Sequence, residues 1–150
     1  MGYRETTGNL FDLGLPALGH GCNCAGSMAG GIAVDVKQRW PELYEEYRRR
    51  CLAGEFRLGE FFRWDADGVV VYNLATQQRS GPDARLDAIG SSVRGALVDA
   101  ESLGLSALGV PKLGAGIGAL EWSDVRDVLR EAGEASPVEL TVVRLPPQQR

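Results

Sequence analysis

Short β-rich runs alternate with helical patterns along this chain, which is the signature of an α/β layered fold and not of a sandwich or a helical bundle. A strand is predicted around Gly2 to Glu5, then a loop at Thr7-Gly8-Asn9-Leu10-Phe11-Asp12, then a buried strand over Leu15 to Gly21. A glycine-rich loop from Cys24 to Gly31 leads directly into a helix over Ile32 to Arg39. Pro41, preorganised for a first helical turn, opens the next helix, which places Leu43, Tyr44, Tyr47 and Cys51 on one face. Gly59 to Trp64 and Val69 to Ala75 read as strands joined through Asp65-Ala66-Asp67-Gly68, a hairpin that makes the sheet mixed.

Asp83 is expected to cap a helix from Ala84 to about Leu103, where Leu86, Ile89, Val93, Leu97 and Ala100 recur at helical spacing and Gly104 ends the run. Ser106 to Val110 reads as a buried strand entering a second glycine-rich loop, Pro111 to Leu120. A helix from about Ser123 to Ala132 and a strand from Val138 to Leu145 complete one domain over residues 1–145, and the tail 146–150 is expected to fray.

Composition changes this picture in one respect. The 150 residues carry 44% hydrophobic and 24% charged side chains, ordinary for a globular domain, but the 20 glycines are about twice the usual share. Glycine is tolerated where backbone must approach something closely. The net charge of −4, without basic runs, argues against a bulk nucleic-acid-binding surface, although a nucleotide held in a pocket is compatible with it. No run reaches the roughly 18 apolar residues of a membrane span, so no membrane partner is expected. Cys22, Cys24 and Cys51 do not suggest a disulfide framework, and a cytoplasmic, reducing compartment is the expectation.

Each glycine-rich loop follows a predicted buried strand and leads toward a helix, so both are expected at the carboxyl edge of one sheet. Bare amides and positive helix ends meet there, and they stabilise a diphosphate without lysine or arginine. Taken singly, neither loop is diagnostic. Gly114-Ala115-Gly116-Ile117-Gly118 lacks the full G-x-G-x-x-G spacing of a dinucleotide fold, and no G-K-[ST] follows to make a Walker loop. Two plain tight connections are the alternative reading.

Several pieces in order carry a more specific signal: Gly8-Asn9-Leu10-Phe11, the stretch from His20 to Ala33, Pro111 to Gly118, and Leu120-Glu121-Trp122. In these the chain resembles the macrodomain family over nearly its whole length, and within it the branch of terminal ADP-ribose glycohydrolases and yeast-type ADP-ribose 1″-phosphate phosphatases. The resemblance implies a three-layer α/β/α sandwich with a mixed central sheet and ADP-ribose between the two loops. By that carry-over Asn9 and Leu10 face adenine. Asn23, Ser27, Met28, Gly30, Gly31 and Ile32 surround the distal ribose, with Thr76 and Gln77 nearby. Leu113, Gly114, Ala115, Gly116, Ile117 and Gly118 wrap the diphosphate.

Two departures from the family matter. Many macrodomains have aspartate at the position of Asn9, where it accepts from the adenine amino group. The glycohydrolase branch uses a lysine after the hairpin strand and an aspartate in the second loop, and the matching positions here are Gln78 and Gly118. Neither supplies an amine nucleophile or a carboxylate.

The reading that follows is an ADP-ribose-binding domain whose partner is ADP-ribose or an ADP-ribosylated macromolecule. It is expected to hydrolyse an ADP-ribosyl linkage through a positioned water, needing no cofactor and no metal. Asn23 is the first candidate to orient that water, with His20, Thr76 and Gln77 behind it. His20, the only histidine, also reads as a hydrogen-bonded structural residue after an apolar strand. Alternatives are a non-catalytic ADP-ribose reader, an ADP-ribose 1″-phosphate phosphatase, and a regulatory domain binding NAD or another nucleotide. Cys22 and Cys24 with His20 give too few ligands for a zinc site and read as small buried thiols. Asp35 suits the helix dipole, Trp122 packing, and Arg79 a rim contact or plain solvation.

Overall fold

The computed structural model describes residues 2–146. Its elements run β1 (Tyr3–Thr7), β2 (Ala17–Asn23), α1 (Ile32–Arg39), α2 (Pro41–Leu52), β3 (Phe61–Ala66), β4 (Val69–Gln77), α3 (Leu86–Ser102), β5 (Ala107–Val110), α4 (Trp122–Glu134) and β6 (Glu139–Arg144). A single 3-10 turn, Leu10–Asp12, follows β1.

One sheet orders the strands β1-β6-β5-β2-β4-β3. Only the hairpin strand β3 is antiparallel, and every other neighbouring pair is parallel. Side chains on a strand alternate between faces, and here the alternation separates two cores. In β4, Tyr72 and Leu74 enter the layer with α3 and α4, where Ile89, Val93, Leu129 and Leu140 are buried. Val71 and Ala75 enter the layer with α1 and α2, with Val36, Leu43 and Tyr47. Fully burying such aliphatic and aromatic groups is worth about 1.5–3 kcal/mol each, so both helical layers are held to the sheet mainly by apolar area. The result is the three-layer mixed-sheet sandwich expected from the sequence.

Boundaries moved where long-range pairing outweighed local pattern. β1 extends to Thr7 because it is paired with β6 as far as Thr7 opposite Arg144. β2 starts after Pro16, whose carbonyl accepts from Val70 N, and it ends at Asn23. α4 opens one residue earlier than expected and runs to Glu134. Asp83 does not cap α3: its Oδ2 accepts from the amides of Gln78 and Arg79, both at 2.9 Å, which closes the turn after β4. The helix starts only at Leu86, with Arg85 as the flanking residue. Most of the expected frayed tail, 147–150, lies outside the described residues.

Candidate functional site

β2 and β5 are adjacent, parallel and in register at Leu18 opposite Gly109. Their carboxyl ends therefore emerge on the same edge, and each runs straight into a glycine-rich loop. The parallel neighbours β1, β6 and β4 deliver Asn9, Leu145 and Gln77 to that edge. Between them lies a crevice of about 500 Å³, joined past Gly30, Gln77 and Ile117 to an inner recess of about 100 Å³.

The two loops touch. A Cβ built on Gly30 would stand 2.9 Å from Ile117 Cδ1, and one on Gly31 would stand 3.7 Å from it. Ile117, 57% exposed, thus bridges the loops at the point where crevice and recess join. On the first loop, the amides of Gly30, Gly31, Ile32 and Ala33 have no hydrogen-bond partner among the described residues, and α1 has no side-chain cap. On the second loop, the amides of Gly114, Gly116, Ile117 and Gly118 are likewise unpaired among the described residues. All eight residues line the crevice. Unpaired amides at a helix N-terminus and in a glycine turn form an anion site.

The loops are shaped by specific contacts. Asn23 Oδ1 accepts from Ala25 N at 3.0 Å and Ser27 N at 3.3 Å, while its Nδ2 donates to Ser27 O at 3.0 Å. From α2, the Tyr47 hydroxyl reaches Asn23 O and Oδ1, both at 2.8 Å, and Ser27 O at 3.2 Å. In the second loop Leu120 N donates to Gly114 O at 2.8 Å and Ala119 N to Gly116 O at 3.1 Å. Gly114 sits at φ +72°, where L side chains are strained. At Gly118 a Cβ would lie 2.5 Å from Ala84 Cβ and 2.9 Å from Gly114 O. The close approach of Ala84 leaves no room for any side chain there, which gives the missing carboxylate a structural reason.

Of the residues singled out in the sequence, Asn9, Leu10, Gly30, Gly31, Ile32, Thr76, Gln77, Leu113, Gly114, Gly116, Ile117 and Gly118 line the crevice. Asn23, Ser27 and Met28 line the inner recess. Ala115 lines neither; its amide donates to Lys112 O at 3.3 Å. Trp122 begins α4 and packs against the core, with Lys112 Nζ 5.3 Å and the Arg126 guanidinium 5.7 Å from its ring. Arg79 is exposed and off the crevice. Asp35 is in the first turn of α1 and also lines the crevice, so its dipole and site readings coincide.

His20 is removed from the catalytic candidates. It is fully buried, lines neither cavity, and its Nε2 is 2.8 Å from Asn73 Oδ1. Burial lowers its pKa to about 4, against a smaller upward pull from Asn73, so the ring is neutral near pH 7. Cys22 and Cys24 are buried free thiols whose pKa values burial raises, Cys24 to about 11. Among the described residues no group of three or more His, Cys, Asp or Glu is placed to hold a metal ion, and no helix is long and apolar enough to cross a membrane.

The lysine-matching position also shifts by one residue. Gln78 is exposed and lines neither cavity, whereas Gln77 lines both and its Nε2 donates to Arg79 O at 2.6 Å and Gly81 O at 2.9 Å. An amide, not an amine, faces the crevice in either alignment.

Sequence reasoning missed Phe11, Arg39, Lys112, Val143 and Leu145, all on the crevice wall. Arg39 lies 4.1 Å over the Phe11 ring. A signal for it existed: Ile32, Asp35 and Arg39 fall on one helical face. The sheet order sorts the wall into three parts. Apolar Leu10, Phe11, Val143 and Leu145 lie toward β1 and β6, bare amides lie at β5 and β2, and polar Thr76 and Gln77 lie at β4.

The Macro domain family model matches residues 20–129. The chain is 31% identical over 145 residues to the DNA ADP-ribosyl glycohydrolase of Mycobacterium tuberculosis, covering 94% of this chain and 41% of that protein. It is 28% identical over 136 residues to the DNA ADP-ribosyl glycohydrolase of Thermus aquaticus, covering 88% and 38%. It thus spans about two fifths of the length of these curated relatives. The macrodomain of Mycobacterium tuberculosis DarG matches its structure with a TM-score of 0.85 at 29% identity, over 96% of this chain and 97% of that one. The chain belongs to the Macro domain family.

Proposed function

We propose that this domain binds ADP-ribose across the carboxyl edge of its sheet and hydrolyses an ADP-ribosyl linkage on a macromolecule. The observation that carries the binding half is the convergence of unpaired amides from Gly30 to Ala33 and from Gly114 to Gly118 on one crevice. A diphosphate suits that centre. The apolar wall of Leu10, Phe11, Val143 and Leu145 takes the base, and the inner recess beside Asn23 and Gln77 takes the distal ribose. Relatives named DNA ADP-ribosyl glycohydrolases make DNA the first macromolecule to test.

Hydrolysis breaks the bond between the anomeric carbon and the attached macromolecular atom. A water oxygen adds to that carbon, and the water proton passes to the leaving atom. With Gln77 and Gly118 at the family's catalytic positions, the chain offers no lysine or aspartate for this. Positioning is what remains. Asn23 spends one Nδ2 hydrogen on Ser27 O, and its second amide hydrogen is the group assigned to orient a water held against the ligand's own phosphate.

The same two missing groups favour a second reading, a reader that binds ADP-ribosylated targets without turnover. Incubation with ADP-ribosylated DNA, ADP-ribosylated protein and ADP-ribose 1″-phosphate separates the readings. Release of free ADP-ribose from a macromolecule supports the hydrolase, phosphate release from the third substrate the phosphatase, and tight binding with no product the reader.

A further inference from the structure

The turn that brings Asn9 to the crevice also fixes which of its polar atoms is presented. Asn9 Oδ1 accepts from Phe11 N at 2.9 Å, with the Asn9 backbone extended at φ −103°, ψ 122°, as an N-cap requires. Only the oxygen of a carboxamide accepts from an N–H, so this bond sets the amide's orientation. Nδ2 is left, and it has no partner among the described residues. The backbone N–H of Leu10, the next residue, is unpaired among the described residues too. The polar groups that this turn offers at the apolar end of the crevice are therefore two neighbouring donors.

We infer that Asn9 is a base-reading residue, and that it makes the crevice accept a 6-oxopurine nucleotide at least as well as an adenine nucleotide. This rests on the reading of the crevice as a nucleotide site. A 6-oxopurine shows two adjacent acceptors, O6 and N7, whereas adenine shows an acceptor, N7, beside a donor amine. Two donors match the first edge and clash at one position with the second. An aspartate at position 9 would behave differently. One carboxylate oxygen would keep the cap on Phe11 N while the other replaced the donor with an acceptor for the adenine amine. The exposed carboxylate of Asp35, also on the crevice wall, is the other acceptor to be controlled for.

Calorimetry on the full chain with ADP-ribose and with its hypoxanthine analogue, inosine diphosphate ribose, tests this. The wild type is expected to bind the analogue as tightly as ADP-ribose or more tightly. Asn9→Asp, with an unchanged melting temperature, is expected to shift the affinity ratio toward ADP-ribose by about tenfold or more, the scale set by one mismatched polar contact in a buried site. Asp35→Asn should leave the ratio in place. A wild type preferring ADP-ribose by more than about tenfold, an Asn9→Asp ratio equal to wild type, or a ratio that follows Asp35 instead would overturn the assignment. Failure of both nucleotides to bind any variant would instead remove the nucleotide reading beneath it.

Discussion

Gly116 and Gly118 lie two residues apart in the second loop, yet substitution should have opposite consequences at the two sites. A Cβ on Gly116 meets no atom within 4 Å, and Gly116 is not among the positive-φ residues. Gly116→Val is therefore expected to fold with a wild-type melting temperature and to project its isopropyl group into the crevice. There it keeps the diphosphate from the amides of Gly116 and Ile117. A hydrogen bond to a charged group is worth about 1.5–3 kcal/mol, so losing two costs about 3–6 kcal/mol. Affinity for ADP-ribose then falls by about a hundredfold or more, since about 1.4 kcal/mol is tenfold. Gly118→Ala meets Ala84 Cβ at 2.5 Å and Gly114 O at 2.9 Å, and the strain should cost about 2 kcal/mol of stability. Calorimetry and thermal melts on the pair read both effects. Gly116→Val binding ADP-ribose as the wild type does, or unfolding at lower temperature, would refute the placement of this loop.

Other expectations follow from the same geometry. His20 has a folded pKa of about 4 against about 6.5 unfolded, so the unfolded chain takes up its proton first as pH falls. Stability should drop by about 3 kcal/mol between pH 6.5 and 4, and His20→Gln should flatten that part of the urea-denaturation profile; an unchanged slope would contradict the burial argument. Tyr47→Phe removes the hydroxyl that ties α2 to Asn23 and Ser27. It should cost about 1 kcal/mol in denaturation and weaken ADP-ribose severalfold, whereas unchanged affinity would mean that the first loop holds its shape without it. Phe11→Ala should weaken ADP-ribose by about 1–3 kcal/mol in a calorimetric titration if the base stacks on that ring, and by nothing if it does not.

The parallel layout was legible because β2 and β5 are short apolar runs followed at once by glycine, and that order places both loops on one edge. Element ends were less legible. Thr7, Gln77 and Trp122 join their elements through partners more than sixty residues away or through helix packing, which local pattern does not encode. Asp83 shows the same limit: an acidic residue before a helical run looks like a cap, but the turn after β4 supplied nearer amides. At the site, the glycines and Asn9 were visible because their backbone role leaves a mark in composition and spacing. Val143 and Leu145 were not, because an apolar residue at a strand end looks the same whether it faces a core or a crevice. Gln77 was mistaken for Gln78 because β4 runs two residues further than its apolar pattern, and a one-residue slip exchanges the faces of a strand.

The account stands on anion binding by two sets of backbone amides, and amide chemical shifts report on them directly. On titration of the nitrogen-15-labelled chain with ADP-ribose, the resonances of Gly30, Gly31, Gly114 and Gly116 should move together and saturate with one affinity. Those of Gly68 and Gly104, which do not line the crevice, should stay. Shifts confined to other residues, or none at millimolar ligand, would contradict it.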